Sequence, residues 1–105
     1  MARYISTSGT ALATVRTTGT GITAAANDRI ICTGGGFTIT LPASPLENDT
    51  IQVIDATGVF GSSNVTIGRN GNKIQNLNED LILNINNTSL TLVWTGATYG
   101  WLIIR

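Results

Sequence analysis

Arg69 and Lys73 share the stretch NVTIGRNGNKIQ, Asn64 to Gln75, with two glycines, Gly68 and Gly71. Two cations beside glycines are the ingredients of a phosphate-binding loop. Such a loop also needs spaced glycines that run into a helix, so that backbone amides converge on the anion. No helical pattern follows Lys73. The competing reading is a strand, a tight turn and a strand. Val65 and Ile67 alternate with polar residues. Asn70-Gly71 suits a type I′ turn, whose two central residues both need positive φ. KIQ then reads as the outgoing strand. The hairpin is the preferred reading, with Asn70 and Gly71 as its structural turn and no anion site.

The rest of the chain offers little chemistry. It has no histidine, so the usual general base and the commonest neutral metal ligand are missing. Cys32, in RIICTGGG, is the one cysteine. Without a base beside it, it reads as a small buried hydrophobe, and no intrachain disulfide is possible, as in a reducing cytosol. The carboxylates cluster only at Glu47-Asn48-Asp49 and Glu79-Asp80. Both clusters sit in turn-forming surroundings and lack the spacing of a calcium loop or the cleft of a glycosidase. No enzyme activity, cofactor or metal is expected. Asn48, Asn64, Asn86 and Asn87 begin glycosylation sequons, which an Asn- and Thr-rich β protein produces by chance. Trp94, Tyr99 and Trp101 form the one aromatic cluster. It reads as core or subunit interface, or as a sugar-stacking platform. Trp94 continues the face of Leu90 and Leu92, which favours core.

The elements that would position these residues are strands. FTITL, NVTIG and SLTLVW alternate apolar and polar residues and TIQVID does so less cleanly, the pattern of half-buried strands; LILNI and the closing WLIIR are apolar on both faces. Leu81, Leu83 and Ile85 align on one face, as do Leu90, Leu92 and Trp94. Turn-rich stretches such as TGGG, PASPLEND, ATGVFGSSN and TGATYG separate them, and Pro42 and Pro45 fall in one of these loops. No repeat of fixed period is visible. Residues 22–105 are therefore expected to form an all-β domain, a small antiparallel β-sandwich or barrel of jelly-roll type.

Residues 1–21 differ. They are mostly Ser, Thr, Gly and Ala, too poor in large apolar groups to fold alone. Arg3, Tyr4, Ile5, Val15 and Arg16 stand out and are the candidate docking residues of an extended N-terminal arm. ALATVRT is a candidate for strand addition to a neighbour's sheet edge. Charged residues make up 11% of the chain and the net charge is zero. That removes the field that gathers nucleic acid or anionic membrane, and the repulsion that keeps copies apart. No segment approaches the ~20 apolar residues of a membrane-spanning helix, and the N-terminus has no signal-peptide core. A soluble protein that self-associates is expected, with neither nucleic acid nor membrane as partner.

The order FTITLPASPLENDTIQVIDATG, NVTIGRNGNKIQNLNEDLILN and SLTLVW…YGW resembles a β domain that recurs in structural proteins of tailed-bacteriophage virions, both tail fibres and small structural proteins. The match spans roughly residues 28–105, and the order of the elements carries it rather than any single motif. The resemblance implies a non-catalytic, often self-associating domain. A domain standing behind one short arm suits a capsid decoration (cement) protein, as a homotrimer on the capsid surface, made in the host cytoplasm. Its partners would be itself and the major capsid protein or other virion proteins. A tail-fibre or tail-tip component, and a receptor- or carbohydrate-binding module using Trp94, Tyr99 and Trp101, are the alternatives.

Overall fold

The computed structural model describes residues 14–104. These form nine strands: β1 Thr14–Thr18, β2 Ile22–Thr23, β3 Asp28–Cys32, β4 Thr38–Thr40, β5 Thr50–Asp55, β6 Val65–Gly68, β7 Leu81–Leu83, β8 Ser89–Trp94 and β9 Trp101–Ile104. No helix occurs among the described residues. The all-β expectation holds. Two sheets form, a five-stranded one in the order β1-β3-β5-β8-β9 and a four-stranded one in the order β2-β4-β6-β7. Neither closes into a barrel.

The pairing departs from the antiparallel expectation. β1-β3-β5 and β2-β4-β6 are parallel; only β5-β8, β8-β9 and β6-β7 are antiparallel. From β1 to β6 the chain crosses from one sheet to the other at every strand. Each return lays a strand parallel to its predecessor in the same sheet, which makes successive coils around a shared interior. The last three strands then fold back as antiparallel neighbours. The coils differ in length: Thr14 pairs with Asp28, Arg29 with Gln52, Ile22 with Ile39 and Thr38 with Thr66. Unequal loops between equivalent strands leave no fixed period in the sequence, although the backbone repeats.

The N-terminal boundary also moves. Thr14–Thr18 is not a free part of an arm. It is an edge strand of the chain's own five-stranded sheet, in parallel register with β3. The first coil therefore begins before residue 22.

The interior is a single apolar cluster. Ile30, Cys32, Ile51, Val53 and Leu92 from the larger sheet meet Ile39, Leu41, Val65 and Ile67 from the smaller one, and Phe60 enters from the loop after β5; all are fully buried. Complete burial of side chains of this size contributes roughly 1.5–3 kcal/mol each. Two buried carboxylates bound this cluster. Asp28 opens β3 and Asp55 closes β5.

Asparagine supplies the turns. Asn27, Asn48, Asn70, Asn76 and Asn87 have positive φ, joined by Gln75. Asn tolerates the left-handed region better than most residues with a side chain. Two of the sequon asparagines, Asn48 and Asn87, thus have a conformational role.

Candidate functional site

The two ends of the paired sheets are finished differently. At the first edge, Arg16 on β1 turns inward. Its Nη1 donates to Asp28 Oδ2 at 2.6 Å and to the Thr23 carbonyl of β2 at 3.2 Å. Asp28 Oδ2 also accepts from the Ala25 amide at 2.8 Å. A charged, hydrogen-bonded plug therefore ties the two sheets together. Arg16 is occupied within its own chain, which removes it from the set of free docking residues. Val15, one position back, points outward and is 60% exposed. Arg3, Tyr4 and Ile5 lie outside the described residues.

At the last edge the sheets end on β7 and β9 and leave a groove of about 300 Å³. Leu83 and Leu90 are its buried members, and Leu81 and Ile103 are half-buried. Ile82, Ile85 and Ile104 stand around it at 48%, 70% and 50% exposure. Its polar lining residues are Asn84, Thr88 and Ser89, and none of the lining residues is charged. Leu81, Leu83 and Ile85 do not share one face as expected. β7 ends at Leu83, and the turn that follows, with Asn87 at positive φ, leaves Ile85 outside.

The backbone around the groove is nearly closed to further strands. The Thr66 amide donates to Phe37 O, toward β4. By alternation Val65 and Ile67 turn theirs toward β7, so Ile82 is the one rung of three-residue β7 that faces outward. On β9, the Trp101 amide donates to Lys73 O at 2.9 Å and the Trp101 carbonyl accepts from the Gln75 amide at 2.7 Å. The Ile103 amide donates to Gln75 Oε1 at 2.8 Å. A short edge and a side-chain cap are common defences against open-ended sheet growth. What remains is a socket for apolar side chains.

The Asn70-Gly71 turn is present. Both residues have positive φ and the Asn72 amide donates to Arg69 O at 3.1 Å. KIQ does not run back along β6, however. Ile74 bridges Leu77 across a second two-residue turn, Gln75-Asn76, and also bridges Trp101. β6 pairs instead with β7. Two tight turns in succession carry the chain across to β9 and supply the cap just described. The cations of this stretch are turned onto backbone carbonyls: Arg69 Nη1 to Asn72 O at 3.0 Å and Lys73 Nζ to Thr98 O at 3.3 Å.

Trp94 and Trp101 are 8% and 0% exposed, with ring centroids 5.6 Å apart. They pack as a tilted core pair, so neither offers a face to a sugar ring. Tyr99 is 54% exposed and stands without them.

Sequence reading missed Asp55. Its carboxylate accepts from the amides of Gly58, Val59, Phe60 and Asn87 at 2.9, 3.2, 3.1 and 2.9 Å. Burial would raise its pKa, but the bonds from Phe60, Asn87, Val59 and Gly58 outweigh that and hold it below the usual value. Asp55 is a fastener joining the loop after β5 to the turn before β8. The available signal was an aspartate closing a strand, followed by Ala-Thr-Gly. Cys32 pairs with Asp55 in register on the inner face. Burial, with help from the Asp55 charge, pushes its thiol to about 11.

Among the described residues no group of three His, Cys, Asp or Glu is placed to hold a metal ion, and no helix is long and apolar enough to cross a membrane. The chain matches no protein-family model, and no curated protein matches it.

Proposed function

We propose that this protein is a structural subunit of a bacteriophage virion, a decoration (cement) protein that binds and stabilises the capsid lattice as a homotrimer. The observation that carries the reading is the uncharged apolar socket between β7 and β9, with Ile82, Ile85 and Ile104 standing exposed around it. Water-facing apolar groups grouped at one edge favour association, since burying them contributes about 25 cal/mol per Å². The outer face of the larger sheet continues this character: Ile31 lies beside Ile54, and Val93 beside Leu102, all half-buried. The resemblance in element order to virion β domains supplies the setting.

A tail-fibre component is the second reading. It is favoured by the parallel coils of β1 to β6, a winding that suits elongated assemblies. Counting copies in purified virions separates the two. A decoration protein is present in numbers comparable to the capsid protein, a tail part in far fewer. Sedimentation of the full chain at micromolar concentration tests the shared premise: a trimer is expected, and a monomer that also fails to bind virions, at capsid or tail, would sink both readings.

A further inference from the structure

We propose that the socket between β7 and β9 is filled by residues 1–13 of a second copy of this chain, with Tyr4 and Ile5 as the inserted side chains. The proposal rests on the self-assembling reading above and names the contact that would build the assembly.

Three observations select this occupant. The first is chemistry. The lining of the socket carries no charge, and its volume of about 300 Å³ suits a pair of large apolar side chains. Residues 1–13 have one charged residue, Arg3, and place Tyr4 and Ile5 side by side among small residues. The second is the state of the backbone. β7 offers a single outward rung and Gln75 caps β9, so the guest must be held by its side chains and by few strand bonds. A segment with two adjacent anchors in a small-residue context fits that demand.

The third is placement and length. The arm enters at β1, and the socket lies at β9, the opposite edge of the five-stranded sheet. At ~4.8 Å per strand the sheet is roughly 19 Å across. Fully extended, residues 1–13 span at most roughly 45 Å. The arm is long enough to leave its own molecule and reach the far edge of a neighbour. A contact between one edge and the opposite edge of the next copy is heterologous, and such contacts close into rings when the rotation allows. A ring of three copies is the closure that matches the trimer proposed above. Two sockets meeting face to face would give only a dimer.

The test uses full-length chains with single cysteines at the two partners, Ile5→Cys and Ile85→Cys, and a short thiol-to-thiol cross-linker. Ile85 is 70% exposed, so its replacement leaves the core intact. Native Cys32 is buried with a raised pKa and serves as the unreactive control. A covalent pair is expected when the two proteins are mixed, and rings of up to three copies when both cysteines are on one chain. If the doubly substituted chain closes only on itself at every concentration, the arm fills its own socket and the proposal is overturned. An absence of cross-linking in a chain that still sediments as an oligomer also overturns it, while leaving the self-association reading standing. As an independent arm, Ile82→Glu in the full chain should weaken association at least tenfold; unchanged association would place the contact elsewhere.

Discussion

Arg16 Nη1 lies 2.6 Å from Asp28 Oδ2, joining the first strand to the third through a carboxylate that is 3% exposed. The pair crosses from a partly exposed guanidinium to a buried acid, so the two partners are unequal. Removing the arginine strands a buried charge, whereas Asp28→Asn still leaves an acceptor for the Ala25 amide. Arg16→Met should destabilise the fold by about 1–3 kcal/mol, and Asp28→Asn by less. Chemical denaturation of both variants checks the order; equal losses would mean that the charge on Asp28 is already neutralised elsewhere.

Asp55→Ala should be the most damaging single polar substitution. It leaves the amides of Gly58, Val59, Phe60 and Asn87 without their acceptor. The Phe60 bond is buried and the other three are partly buried; a buried donor left unpaired costs about 1–3 kcal/mol and one that water can reach costs less, so a loss of roughly 2–4 kcal/mol is expected. Asp55→Asn keeps one oxygen and should lose about half as much. Denaturant midpoints at neutral pH measure both.

The same carboxylate makes stability depend on acid. Its pKa in the folded state is lowered, against about 3.9 for an unfolded aspartate. Above that value both states are ionised and the full contribution is present. As pH falls below it, the unfolded chain takes up the proton first and stability declines until the folded pKa is passed. Thermal melting from neutral pH downward should show this acid limb, and Asp55→Asn should flatten it.

Gly71 and Gly100 both have positive φ but differ in surroundings. A Cβ on Gly71 would meet open space, while one on Gly100 would strike the Lys73 carbonyl. Gly71→Ala should cost about 1–2 kcal/mol, the price of the left-handed conformation alone. Gly100→Ala should cost more and should disturb the neighbouring Trp101, visible as a shifted fluorescence maximum. A similar penalty at both sites would show that the Lys73 segment yields easily.

Cys32 should resist modification. With its thiol at about 11 and no exposure, reaction with a water-soluble thiol reagent at neutral pH should proceed only as fast as the chain unfolds. Labelling rates that track the unfolding rate as denaturant is raised would support this; fast labelling of the native protein would contradict it.

Period-two alternation was legible because each of these strands has one face toward the interior. Leu90, Leu92 and Trp94 point inward as their spacing predicts. Strand direction was not legible. Alternation is identical for parallel and antiparallel neighbours, and short turn-rich connections suggest hairpins even when they carry the chain to the opposite sheet. The Asn70-Gly71 turn was readable from local conformational preference. Its partner strand was not, because pairing of β6 with β7 depends on a second turn at Gln75-Asn76, where Gln is an uncommon choice for positive φ. The socket left a trace in the sequence as apolar residues on both faces of Leu81–Ile85 and Leu102–Ile104. The fasteners at Asp28 and Asp55 left almost none, since a buried aspartate looks like any turn aspartate until its donors are known.

Both sheets are ordered by increasing position in the chain, β1-β3-β5-β8-β9 and β2-β4-β6-β7. No strand is ever inserted between two that precede it. A chain emerging from a ribosome could therefore lay down each strand on an edge already made, without displacing or threading earlier ones. Growth would be vectorial, from the Arg16–Asp28 end toward the socket between β7 and β9, and every intermediate would carry a bare, ladder-ready edge until the next strand arrived. The capped and shortened edges at β9 and β7 are then the terminators of a growth process that the fold itself would otherwise leave open.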